Sequence, residues 1–284
     1  MIRLCAFADE AGDGLGAQIE ALSRNGITLL ELRSVDKINV SEFTDGKAEE
    51  TAARLKDAGI SVWSVGSPLG KVDITVDFSE YEKVVRRTFR TANILGARRV
   101  RMFSFYKAYG EPEKVFSYLE RMSELAKEYG VLLCHENEKD IYGDTCARTL
   151  EILSRVPALR CVYDPANFLQ VGEDPEVTIP ALCPKADYFH IKDVVRETRE
   201  LVPAGEGDGQ IARIVSGIDA HRDTVLTVEP HLKLFSAYAG IDASELKTKH
   251  KFETKAEAFD AAVAGIKKVL RDAGWREEKG GFVK

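Results

Sequence analysis

Glu136, Asp164, His190 and Glu229 each stand at or near the end of a short apolar run: VLLCHE (131–136), LRCVYD (159–164), DYFHIKD (187–193) and TVLTVEP (224–230). Such runs read as buried strands. An ionisable side chain at a buried strand end must be compensated for the water it gives up. Three carboxylates and one imidazole suit a single divalent cation such as Mn²⁺, Mg²⁺ or Zn²⁺. The alternative is four separately satisfied residues in ion pairs or caps. The same placement on four consecutive strands favours one shared cation, and with it a metal-dependent enzyme.

Those strands need a frame that brings their ends together. Strand-like segments at 2–8, 28–33, 60–65, 99–105, 131–136, 159–163, 187–191 and 224–229 alternate with helix-like segments. The helices are expected near 14–25, 47–58, 79–95, 112–129, 144–155, 174–183, 208–218 and 254–273. Pro112 at a helix start and Gly130 just past its end are proper start and stop signals. Eight such units without an internal boundary predict a single (β/α)8 TIM barrel domain over 1–284. All four polar residues would then meet at one mouth of that barrel. The connections 192–208 and 230–253 are long, leave the same mouth, and are candidates for a substrate lid or an oligomer contact. Residues 277–284 read as a solvated tail.

The net charge of −6, from 46 acids against 40 bases, offers no basic footprint for nucleic acid and no polybasic membrane patch. No apolar run approaches the roughly 20 residues that cross a bilayer. Five cysteines without a CxxC pair, and an N-terminus lacking a signal-peptide core, predict a reduced, soluble, cytoplasmic protein. GSPLGK (66–71) is not a phosphate loop, because its glycine spacing is one short and Pro68 lacks a donor.

LCHEN (133–137), YDPANF (163–168), FHIKD (189–193) and VEP (228–230), with the turn PAGEGDG (203–209), resemble the motifs of the sugar phosphate isomerase/epimerase superfamily. These xylose isomerase-like barrels include ketose 3-epimerases, hydroxypyruvate isomerase and inosose-processing enzymes. The resemblance implies one divalent ion held by Glu136, Asp164, His190 and Glu229. Mn²⁺ is the leading expectation, with Mg²⁺, Co²⁺ or Zn²⁺ as alternatives. It also implies that Glu136 and Glu229 act as acid and base on opposite faces of a small carbohydrate. Removing a proton next to a carbonyl makes an ene-diolate, whose charge a cation stabilises. The expected function is isomerisation or epimerisation of a sugar, keto-sugar or polyol. Elimination from a keto-inositol or 3-keto glycoside would use the same groups, and a non-catalytic sugar-binding barrel is a further alternative. Relatives are often oligomers, so a homo-oligomer is a possible state.

Arg196 lies where ketose 3-epimerases carry a sugar-binding arginine, six residues after His190. Lys192 shares parity with His190, and Glu31 ends a strand from which it could reach a substrate hydroxyl. His231 follows Glu229 by two positions, and Asn167 could hydrogen-bond a hydroxyl. The chain departs from the ketose 3-epimerase pattern at Asn167, where those enzymes have histidine, and at Tyr142, where they have glutamate.

Overall fold

The structure is a computed structural model that describes residues 1–233 and 250–284. Eight strands form its centre: β1 (Ile2–Ala6), β2 (Leu29–Leu32), β3 (Ser61–Gly66), β4 (Arg99–Met102), β5 (Leu132–Glu136), β6 (Arg160–Tyr163), β7 (Ala186–Ile191) and β8 (Thr224–Val228). Each pairs in parallel with the next. Strand β8 closes onto β1 in register from Ile2–Thr224 to Ala6–Val228. The expected single (β/α)8 barrel is therefore the observed one.

The helices form because their ends are satisfied locally. α2 (Asp45–Asp57), α3 (Phe78–Ile94) and α5 (Cys146–Arg155) have side-chain caps from Thr44, Asp77 and Thr145. α4 (Pro112–Tyr129) opens on proline and stops at Gly130, whose φ of 67° is left-handed. α9 (Lys255–Asp272) has a reciprocal Thr254–Glu257 capping box. The outward faces of the strands and the inner faces of the helices merge in one apolar layer.

Within the barrel, Cys5, Leu29, Cys134, Val162, Tyr188 and Val225 form a separate buried cluster. Two residues further along each strand the inward positions change character. Cys134 is followed by Glu136, Val162 by Asp164, Tyr188 by His190, Val225 by Thr227 and Leu29 by Glu31. An apolar floor thus supports a polar layer at the C-terminal mouth.

Three local features differ from the sequence reading. The expected solvated tail is a hairpin of Arg276–Glu278 and Gly281–Val283, in which Phe282 pairs with Ile2 and is 2% exposed. Burial of one aromatic outweighs the polar composition around it. A short helix, α6 (Pro165–Gln170), follows β6 directly, with Asp164 as its N-cap. Its six residues are too few to show a periodic pattern. The connection after β7 contains a two-stranded ribbon, Asp193–Val194 against Leu201–Val202. The other long connection, 230–253, includes residues 234–249, so its expected lid or oligomer role lies outside the described residues. Among the described residues no helix is long and apolar enough to cross a membrane.

Candidate metal and catalytic site

Glu136, Asp164, His190 and Glu229 converge at the mouth, with one ligand atom from each lying within 4.8 Å of all the others. None is more than 4% exposed. His190 Nδ1 is 2.9 Å from Glu136 Oε1 and 3.5 Å from Glu229 Oε2. Asp164 uses Oδ1 to cap α6, accepting the Asn167 N–H at 3.0 Å. Its Oδ2 accepts no well-aligned hydrogen bond, although the Lys192 ammonium is 3.1 Å away. Ligands at about 2.0–2.3 Å around one ion stand about 3–4.5 Å apart. The spread of these atoms and the oxygen-rich donor set therefore fit a divalent cation after a small contraction.

Buried cations hold this acidic cluster together. Arg101 Nε lies 3.2 Å from Glu136 and Arg33 Nη1 lies 3.2 Å from Glu229. Lys192 Nζ bridges Asp164 and Glu229 at 3.1 and 3.3 Å. Burial pushes the Asp164 carboxyl up to about 7, against the opposing pull of Lys192. Burial also works against ionised Glu229, but Lys192 and His231 hold it well below the usual carboxylate range. Lys192 and His190 lie well above their ordinary values, because the surrounding carboxylates outweigh burial. A bound divalent ion would supply that positive charge instead.

Glu10, Glu229 and His231 form a second close group. His231 Nε2 is 3.3 Å from Glu229 and 3.4 Å from Glu10, and its backbone N–H donates to Glu10 at 2.6 Å. Arg33 sits among them, 3.0 Å from Glu10, 3.2 Å from Glu229 and 2.9 Å from Asp9. The first group offers four ligand atoms against three here, so it is the better metal site.

The other expected site residues divide. Lys192 and His231 stand at the cluster. Asn167 supports it: its amide donates to Glu136 Oε1 at 3.3 Å and to the Asn137 carbonyl at 2.9 Å. Glu31 stands in the same polar layer and meets His190 from behind. It is fully buried on the far side of the His190 ring, 3.1 Å from Nε2. Arg196 is set apart: its half-exposed side chain lies 3.5 Å from Asp174, while its N–H donates to Asp208. Tyr142 donates to Glu151, outside the cluster.

Several residues at the mouth are absent from the sequence reading. Phe7 presents its ring to Arg33 at 4.4 Å and Arg101 at 5.4 Å, and makes an edge contact with His190. Gly66 permits this, since a Cβ there would lie 2.5 Å from the Phe7 ring. Lys71 pairs with Glu138 at 2.9 Å and covers Phe103. Burial of Glu138 is outweighed by Lys71 and Lys192, which hold its carboxyl at about 2. Parity offers a signal for Phe7 and Arg33, two residues beyond the inward-facing Cys5 and Glu31. Nothing local reveals Lys71.

Asp193 organises the turn that follows β7. Its carboxylate accepts N–H groups from Val194, Gly205, Gly207 and Gly209 at 2.9–3.1 Å. A Cβ at Gly207 or Gly209 would lie 2.4 or 2.8 Å from Asp193 Oδ1, which explains glycine at both positions. Asp193→Ala should destabilise the protein by about 2–4 kcal/mol, the scale of losing charged hydrogen-bond acceptance by several N–H groups. Urea unfolding midpoints check this, and a loss below about 0.5 kcal/mol would make the turn independent of Asp193.

The architecture and the cluster define a class: a (β/α)8 barrel with a candidate metal site at the C-terminal face, where barrel enzymes place their chemistry. Comparison with known proteins gives the particular group. The chain belongs to the xylose isomerase-like TIM barrel family, whose model matches residues 19–247. No curated protein matches it significantly in sequence. Among solved structures it is similar to an L-ribulose 3-epimerase at 19% identity and TM-score 0.71, covering 96% of each chain. It is similar to the IOLI protein with a bound zinc atom at 18% identity and TM-score 0.72, over 95% of this chain and 99% of that one. A probable 3-DHS dehydratase, AsbF from Bacillus anthracis, aligns at 16% identity and TM-score 0.70, over 94% and 99%. These likenesses establish the shared fold.

Proposed function

We propose that the protein is a divalent-metal-dependent isomerase or epimerase of a sugar, keto-sugar or polyol. The observation that carries this reading is the pair of buried glutamates, Glu136 and Glu229, both within 3.5 Å of one imidazole nitrogen and each held by its own arginine. Mn²⁺ is the proposed ion, held by Glu136, Asp164, His190 and Glu229. When bound, such an ion supplies Lewis acidity that stabilises developing negative charge on substrate oxygen.

The protein groups then divide the work. One glutamate takes the proton from the carbon next to the carbonyl, and the other serves the opposite face or returns the proton to a neighbouring carbon. Arg33 and Arg101 fix the two carboxylates, so little reorganisation is needed when the proton moves. The Lys192 ammonium stands beside Glu229 and can donate a hydrogen bond to a substrate oxygen. That placement also favours a second reading. A proton donor next to the base would assist departure of a hydroxyl or glycosyl group, making the enzyme a lyase on a keto-inositol or 3-keto glycoside.

The test is deuterium uptake from D₂O into a panel of ketoses, keto-inositols and keto-glycosides, with Mn²⁺ or after chelation, followed by NMR. Metal-dependent exchange at a carbon next to a carbonyl supports the proposal, and the product separates epimerisation from elimination. Metal-loaded protein that exchanges no member of the panel overturns it.

A further inference from the structure

We propose that Glu31 is the positioning residue that fixes the ring and tautomer of His190, leaving Nδ1 to face the cation. This inference rests on the metal reading above. Glu31 lies on β2, and its side chain is fully buried in the polar layer of the barrel. Oε2 lies 3.1 Å from His190 Nε2 and accepts the Thr227 hydroxyl at 3.0 Å. Oε1 accepts the Tyr188 hydroxyl at 2.9 Å and the Ser64 hydroxyl at 3.3 Å. Four donors from β3, β7 and β8 thus occupy the four lone-pair positions of one carboxylate.

An ionised carboxylate only accepts, so the nitrogen facing it carries the hydrogen. Nδ1 also faces a carboxylate, Glu136 Oε1 at 2.9 Å, so both nitrogens carry hydrogen until a cation displaces the one on Nδ1. That nitrogen lies 2.9 Å from Glu136 and 3.5 Å from Glu229. A carboxylate behind a metal-binding imidazole sets ring orientation and raises its basicity. The arrangement assigns Glu31 to the ligand rather than to the substrate, because Glu31 meets Nε2 while the candidate ligands Glu136 and Glu229 meet Nδ1.

Glu31→Gln is the informative change. The hydroxyls of Tyr188, Ser64 and Thr227 can accept as well as donate, so the amide is satisfied in either orientation, but it no longer carries the charge that raises the basicity of His190. Mn²⁺ affinity by titration calorimetry should fall about 10- to 100-fold, with an unchanged far-ultraviolet circular dichroism spectrum. A second measurement needs no substitution: long-range ¹⁵N–¹H correlation of the Zn²⁺-loaded wild-type protein should show His190 protonated at Nε2. Protonation at Nδ1, or Glu31→Gln binding Mn²⁺ within twofold of wild type, overturns the role of Glu31 while leaving the metal site standing. A wild-type protein that binds no divalent ion overturns the metal reading and this inference with it.

Discussion

Glu229→Gln is expected to slow metal-supported proton exchange by at least about 10³-fold while the protein stays folded. The glutamate contributes one ligand oxygen to the candidate metal site and contacts Lys192 at 3.3 Å and Arg33 at 3.2 Å. The amide keeps the volume and one oxygen but removes the charge and the ability to take a proton. Loss of a general base alone costs about 10²–10⁴ in rate, and weaker cation binding adds to it. The fold should survive because Arg33 retains Asp9 and Glu10, each within 3.0 Å. Glu136→Gln should be equally damaging, with Arg101 still donating to the Ser67 carbonyl.

Together the variants distinguish two mechanisms. In a two-base epimerase, each substitution stops abstraction mainly from one epimer. In a one-base isomerase, only one of them removes the initial exchange. Exchange within tenfold of wild type in both variants, at saturating Mn²⁺, would discard the acid–base roles.

The second large effect concerns stability in acid. His135 neighbours Glu136 but points the other way, into the helical layer, where it is fully buried and neither ring nitrogen has a hydrogen-bond partner. Burial pushes its pKa down from 6.5 to about 3. The unfolded chain therefore takes up a proton near pH 6.5 that the folded protein refuses until about pH 3. Stability from this residue is complete above pH 6.5 and declines through that window, at about 1.4 kcal/mol per pH unit.

His135→Leu removes the titration. Relative to wild type, the variant should gain about 2 kcal/mol between pH 6.5 and 4.5. At neutral pH the two should differ by only about 1 kcal/mol, since no hydrogen bond is lost. Carboxylates and other histidines titrate in both proteins and cancel in the difference. Urea midpoints across this pH range measure it, and a difference that stays flat from pH 7 to 4.5 would disprove the account.

The barrel was legible in the sequence because its determinants are local. Apolar runs of strand length, the helix start at Pro112 and the stop at Gly130 act within one or two turns of chain. The four candidate ligands were visible for a related reason, since each interrupts an apolar run at the same point of its unit. The sequence also exposes the parity that separates His135 from Glu136.

Only the tertiary structure decided what each side chain meets. Glu31 and His190 are 159 residues apart, and Arg33 and Glu229 are 196 apart. No periodicity links such pairs; closure of β8 onto β1 and alignment of the intervening strands bring them together. Arg33 and Arg101 look in sequence like ordinary strand-end cations, yet inside the closed barrel they balance two buried glutamates. Arg196 shows the converse: it lies at a suggestive interval from His190, but the glycine turn gathered around Asp193 leaves its side chain beside Asp174. Local sequence settled the repeating units and their polar ends, while ring closure settled which charges share one desolvated space. Their energies depend on distances across the barrel that no short segment encodes.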